Sequence, residues 1–254
     1  MRAAAWLAVP LLLAAATFAG ADPLGYVIDR EALDDPAVIA AGEELYRTSC
    51  ISCHGSEGGG IGPWPDLRET GAAGAHFYLT TGRMPHTAGP DDQALRKEPA
   101  YDPEEIQALV AYVATLGDGP GLPRLEEGAG DLQHGGELYR LNCAACHSAS
   151  GSGGALSYGQ NAPTLIASTP VQIAEAIRVG PGQMPVFGRD QLSDGEVQDV
   201  VRYVEELQDA ADPGGFSLGR IGPIPEGAVA ILLGTGACIL ACWWIGKRRV
   251  EVES

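Results

Sequence analysis

The sequence predicts an all-α chain, with two tandem small helical modules followed by one C-terminal transmembrane helix. Three observations carry this expectation. First, the pattern Gly-x3-Tyr-x3-Cys-x2-Cys-His occurs twice, through Gly42, Tyr46, Cys50, Cys53 and His54 and again through Gly135, Tyr139, Cys143, Cys146 and His147. Second, each copy is closed downstream by an apolar stripe at helical spacing. The stripes are Ile106, Leu109, Val110, Val113 and Leu116, then Val197, Val200, Val201, Val204 and Leu207. Third, Ala228 to Ile245 carries no charge and is followed by Lys247-Arg248-Arg249, which reads as a membrane span with its basic side in the cytoplasm.

The elements follow in order. Residues 1–21 read as a signal peptide: an apolar run from Ala3 to Ala19 behind Arg2, then Ala19-Gly20-Ala21 as a cleavage site. An uncleaved anchor is the alternative. The first module spans 22–116. Asp35-Pro36 opens a helix leading to Cys50, and Asp102-Pro103-Glu104-Glu105 opens the closing helix. A linker rich in Gly and Pro, partly stiff and partly flexible, is expected over 117–133. The second module spans 134–212, its closing helix started by a capping box at Ser193 and Glu196. A second linker covers 213–227, the membrane helix 228–246 and a cytoplasmic tail 247–254. The repeat is offset by 93 at Cys50 and Cys143, 100 at Met84 and Met184, and 91 at Tyr112 and Tyr203. A duplication with loop insertions explains the drift.

Cys-x-x-Cys-His is the attachment signature of a c-type heme. Two thiols three positions apart share one face of a helical turn, where each can add to a heme vinyl group. The following histidine is placed to ligate the iron. A disulfide or half of a zinc site is the competing reading, but zinc wants a second matching ligand pair. The chain is therefore expected to hold two covalently bound heme c groups, through Cys50, Cys53 and His54 and through Cys143, Cys146 and His147.

Three methionines exist, and Met1 is the initiator. Met84 and Met184 both sit in Gly-x-Met-Pro, 30 residues after His54 and 37 after His147. A lone methionine is commonly core filler; one per heme in matched loops points to the second axial ligand. His/Met ligation raises the reduction potential and leaves no open coordination position, which favours electron transfer over chemistry at the iron. His76 and His86 are alternatives to Met84, although an exposed loop position is the commoner setting for such histidines. His134 reads as a solvated terminus residue. The Pro65 and Pro163 carbonyls are candidates to accept Nδ1–H of His54 and His147, or the prolines merely shape turns. Cys238 and Cys242 read as small helix-packing residues.

Both modules are acidic: residues 22–116 hold 16 acids and 6 bases, and residues 134–212 hold 10 acids and 4 bases. Such surfaces steer a basic partner or serve solubility. No basic stripe for nucleic acid is present, and no nucleophile–base pair, phosphate loop or dinucleotide fingerprint. A diheme peroxidase would need an open iron site, which paired methionines oppose. A membrane-anchored diheme carrier serving another oxidase or reductase is the other alternative.

From about Gly42 to Ile245 the chain resembles the diheme cytochrome c subunit of the actinobacterial cytochrome bcc complex, a menaquinol–cytochrome c reductase. The resemblance rests on Thr80-Thr81-Gly82-Arg83-Met84-Pro85, Leu138-Tyr139-Arg140-Leu141-Asn142-Cys143, Gly154-Ala155-Leu156-Ser157 and Gly180-Pro181 with Met184-Pro185. Gly222-Pro223-x-Pro225-Glu226-Gly227 and Trp244-Ile245-Gly246 extend it across the membrane helix. It implies two class I-like cytochrome c domains outside the cytoplasm, beside a cytochrome b subunit and a Rieske iron–sulfur subunit. It also implies a haem–copper terminal oxidase as electron acceptor, within a supercomplex. The heme at Cys50, Cys53, His54 and Met84 would accept from the Rieske side. The one at Cys143, Cys146, His147 and Met184 would deliver to the oxidase. Quinol chemistry would lie on the cytochrome b subunit.

Overall fold

The computed structural model describes residues 25, 27–89, 91–209 and 223–252. The expected signal segment and most of the 213–227 linker lie outside these. In the first unit, Asp35 caps α1 (Pro36–Ser49) by accepting the Ala37 N–H at 2.8 Å, with Pro36 at the first turn where its missing N–H is harmless. A one-turn helix α2 (Ile51–His54) follows, then α3 (Gly71–Thr80) and α4 (Pro103–Ala114). The second unit repeats the order with α5 (Leu132–Asn142), α6 (Ala144–His147), α7 (Pro170–Val179) and α8 (Asp194–Asp209). The capping box expected at Ser193 with Glu196 is formed, and Asp102 with Glu105 forms a second.

The chain is mostly helical. Its departure from the expected all-α class is a hairpin of β1 (Gly154–Ala155) and β2 (Asn161–Ala162), antiparallel with Gly154 opposite Ala162. The hairpin fills an insertion that the drift of the repeat had marked. The offset grows from 93 at His54 and His147 to 98 at Pro65 and Pro163.

Each unit is built on one helix crossing made possible by a glycine. A Cβ on Gly42 would lie 1.9 Å from the Ala108 carbonyl oxygen of α4, and one on Gly135 1.9 Å from that of Asp199 on α8. Only a residue without a side chain lets the backbones approach so closely. The cores then form around Tyr46, Leu79, Ile106, Leu109 and Val113 in the first unit. In the second they form around Tyr139, Ile173, Ile177, Val200 and Val204.

The segments between the units and the helix ends can now be placed. The 117–133 segment is docked along its first half: Ala73 N–H donates to the Pro120 carbonyl at 3.0 Å, and the Arg30 guanidinium donates to the Leu122 carbonyl at 3.0 Å. At its far end Asp131 caps α5 through the Gln133 and His134 amides, so the helix begins at Leu132, before the expected module boundary. The C-terminal helix α9 (Pro223–Val252) also starts earlier than 228 and runs through the basic cluster. Pro223 and Pro225 fall in its first turn, where backbone N–H groups have no intrahelical partner. Within it Gly227–Lys247, 21 residues of mean hydropathy 2.1, is long and apolar enough to cross a membrane. Leu232, Leu233, Trp243 and Trp244 all face outward along it.

Candidate functional site

The repeated tyrosine fixes the cysteine turn in place. Tyr46 and Tyr139 are fully buried, and their hydroxyls donate to the Gly55 and Ser148 carbonyls, each at 2.8 Å. Those carbonyls belong to the residue directly after His54 and His147. Each ring also packs on its counterpart from the closing helix, Tyr46 on Tyr112 with centroids 5.1 Å apart and Tyr139 on Tyr203 at 5.3 Å. A buried hydroxyl needs a partner, so the tyrosine ties the short helix to the main crossing.

The histidines are oriented next. His54 Nδ1 lies 3.0 Å from the Pro65 carbonyl oxygen, and His147 Nδ1 lies 3.0 Å from that of Pro163. A carbonyl can only accept, so Nδ1 carries the proton in both rings and Nε2 keeps its lone pair free. Burial lowers the His147 pKa, opposed in part by the Pro163 bond. The prolines thus do more than shape turns: they present the acceptors that set both tautomers.

A continuous cavity of 1090 Å³ is lined by Cys50, Cys53, His54 and Met84 and also by Cys143, Cys146, His147 and Met184. The structure therefore brings all eight candidate residues to one connected space. Both methionines are half-buried and pack on their unit's core. Their loops turn at Gly82 and Gly182, both at positive φ, and the Met84 amide donates to the Tyr78 carbonyl at 3.1 Å. Burial pushes the Cys50 and Cys143 thiols up to about 11, the second cysteine of each pair adding to the effect.

Family comparison agrees with this geometry. Residues 39–117 match the family model described as cytochrome c, and residues 130–204 match that described as cytochrome C oxidase, cbb3-type, subunit III. A Mycobacterium tuberculosis protein named cytochrome bc1 complex cytochrome c subunit is 42% identical over 221 residues, covering 84% of this chain and 79% of that protein. Proteins of the same name from Mycobacterium leprae (40% identical, 85% and 77% covered) and Corynebacterium efficiens (39% identical, 85% and 78% covered) extend the match. The chain belongs to the family of cytochrome bc1 complex cytochrome c subunits. Its two cytochrome c-type domains imply covalently bound heme c.

The residues fit that group on an independent observation. Arg83, next to Met84, is buried to 8% exposure, its guanidinium 4.9 Å over the Phe77 ring, and one of its terminal nitrogens has no hydrogen-bond partner. Arg83 and Arg96 both line the cavity, and burial followed by the Arg96 charge holds Arg83 below its usual pKa. A buried, unanswered cation facing an apolar cavity suits a ligand with an anionic edge, and heme carries two carboxylates.

Several positions differ from the sequence reading. His76 is no exposed loop residue: it lies inside α3, fully buried, with Nδ1 2.7 Å from Glu175 Oε1 of α7. It does not line the cavity that Met84 lines, which removes it from the candidate ligands. His86 lines the cavity, its Nδ1 3.1 Å from the Ala88 carbonyl oxygen. His134 is half-exposed but paired, 2.9 Å from Asp199 Oδ2. Arg83, Arg96 and the His76–Glu175 pair escaped sequence reasoning. The one signal for Arg83 was a positive charge embedded in the otherwise repeated Gly-x-Met-Pro loop.

Proposed function

We propose that this chain is the diheme c-type electron-transfer subunit of a respiratory quinol–cytochrome c reductase. It passes electrons from a Rieske iron–sulfur cluster to a terminal haem–copper oxidase. The observation that carries the reading is the doubled site: two Cys-x-x-Cys-His turns, each with a tautomer-locked histidine and a matched methionine, opening on one cavity. Family membership supports the complex, and α9 supports attachment to a membrane.

When bound, each heme supplies a one-electron iron couple whose potential is raised by His/Met ligation. The chain's own residues do the rest. Cys50 with Cys53, and Cys143 with Cys146, would hold the groups covalently. His54 and His147 would offer Nε2, their orientation held by the Pro65 and Pro163 carbonyls. Met84 and Met184 would each supply a thioether as the second ligand, which favours electron transfer over small-ligand chemistry. Arg83 answers the anionic edge at the first site. The two domains, 22–116 and 134–212, are class I-like cytochrome c folds. Lys247 and the basic residues after it keep the tail in the cytoplasm and the heme domains outside. The first domain faces the Rieske subunit, the second faces the oxidase, and the cytochrome b subunit carries out the quinol chemistry. The chain is part of an oxidoreductase without being its quinol site.

The test is purification of the native complex from membranes, with heme extraction and mass spectrometry of the subunits. Two covalent hemes on this chain, co-purifying with cytochrome b and Rieske subunits, are expected. Fewer than two hemes per chain, or a chain that travels without cytochrome b, overturns the reading.

A further inference from the structure

The two units meet through equivalent helices. α3 (Gly71–Thr80) and α7 (Pro170–Val179) hold corresponding places in the two copies, and His76 of the first faces Glu175 of the second. These two residues touch each other across the interface, Nδ1 to Oε1 at 2.7 Å, both side chains fully buried. Two further contacts flank the pair. Thr80 Oγ1 accepts from Gln172 Nε2 at 3.2 Å on one side. On the other, Val179 Cγ1 lies 3.5 Å from where a Cβ on Gly74 would stand. Corresponding helices of the two copies thus pack on each other.

Here a base meets an acid across the interface. The remaining polar links between the units, Gln93 with Asn161 and Arg96 with Ser168 and Gln172, lie nearer the edge. Burial pushes the Glu175 carboxyl up to about 7, drawn back by His76 and then by the Arg30 charge. The pair therefore sits in a dry setting where a directional bond has few competitors.

We propose that His76 and Glu175 are positioning residues: their buried bond between α3 and α7 holds the two cofactor sites at one fixed separation and so sets the rate of electron transfer between them. This inference rests on the diheme reading above. Buried pairs are best attested as devices that select one register from several packings, rather than as sources of stability. Here the alternative packings are slides or rotations of α3 over α7. Each would move the first cavity wall relative to the second.

The experiment uses the full-length holo-chain in detergent. Heme content is measured first; fewer than two hemes per chain sinks the functional reading and leaves nothing for the pair to position. With two hemes present, pulsed electron paramagnetic resonance reads the iron–iron distance distribution, and flash reduction reads the inter-heme rate. The variant His76→Leu/Glu175→Leu removes the directional bond without stranding a buried charge. It is expected to keep both heme spectra, broaden the distance distribution and slow the inter-heme step by roughly tenfold or more, as small misplacements do in positioned reactions. Glu175→Gln keeps an acceptor for Nδ1–H and is expected to retain the narrow distribution and a rate within about twofold of the parent. A parental distance and rate in the Leu pair overturns the proposal. So does a folded Glu175→Gln chain as perturbed as the Leu pair, because charge rather than the directional bond would then be the cause.

Discussion

The two units share a plan and differ in how well each closes its site. Both cross their helices at glycine, pin the cysteine turn with a buried tyrosine and orient the histidine on a proline carbonyl. Yet His54 is buried while His147 is only half-buried, and Cys146 is exposed where Cys53 is not. The first unit places Arg83 before its methionine; the second places Gln183 there. After the histidine the first unit has Gly55 and the second Ser148, both at positive φ. The difference separates what the attachment of a heme requires, which is common to both copies, from what tunes each site, which is not.

The shared part should break in the same way in both units. Gly42→Ala or Gly135→Ala places a methyl group 1.9 Å from a helix carbonyl oxygen, and backbone cannot yield as a side chain would. The expected cost exceeds the roughly 1–3 kcal/mol of ordinary overpacking. Each substitution should abolish heme uptake in its own unit and halve the heme per chain, read by heme extraction. Full heme content in either variant would show that the crossing is not what holds the site.

The methionines test whether the sites are independent. Met84→Ala should open the iron of the first site and lower its potential, with Met184→Ala doing the same at the second. Redox titration of the two visible bands measures this, and the untouched site should keep its potential. An unchanged first site in Met84→Ala would identify another ligand, with His86 in reach of the same cavity.

What the sequence disclosed follows the same division. The helices α1, α4 and α8 announce themselves with Asp35, Asp102 and Ser193 caps and clean apolar stripes, and the cysteines, histidines and methionines with repeated spacing. Helix α3, Gly-Ala-Ala-Gly-Ala-His-Phe-Tyr-Leu-Thr, has almost no polar face because it is buried nearly all round, so no helical period shows. Helix α7 carries a start signal in Thr169, Pro170 and Gln172, but Glu175 and Arg178 fall among its buried residues and blur the stripe. The contact between these two helices pairs residues 99 positions apart. No local pattern can specify which of several apolar faces meet. Hence repeated spacing could nominate the eight candidate residues, while it could not give the geometry joining the two units.

Ser148 sharpens the comparison at a smaller scale. Its φ of 63° and ψ of 167° belong to a region where glycine is almost alone, and Gly55 holds φ 74° and ψ 168° at the matching place. Such a backbone costs a side chain about 1–3 kcal/mol. Ser148 recovers part of this through Oγ, 2.9 Å from Ser152 Oγ and 3.2 Å from the Ser152 amide. Ser148→Gly should raise the stability of the second unit by about 1 kcal/mol, the glycine also loosening the unfolded chain. Gly55→Ser should lower that of the first by a similar amount or more, since no serine cluster waits there. Denaturant midpoints read at each heme band check both signs.

The smallest expected effect is a pH slope confined to the second unit. His134 Nδ1 bonds Asp199 Oδ2 at 2.9 Å, joining the start of α5 to α8, whereas the equivalent position in the first unit is Ala41. The Asp199 hydrogen bond raises the His134 pKa above its usual value, with the charges of Asp199, Glu196 and Asp131 adding and desolvation opposing. A group whose folded pKa is raised binds its proton more tightly in the folded state. Its contribution is therefore complete below the unfolded value of about 6.5 and is lost as pH rises through the folded value. The pair is half-exposed, so the slope is small and salt should reduce it further. His134→Ala should lower the melting temperature of the second unit at about pH 5.5 and leave it nearly unchanged at about pH 8, the window in which a histidine titrates. An equal loss at both pH values would assign His134 a packing role, and a matching slope in the first unit would trace the effect to the acidic surface that both units share.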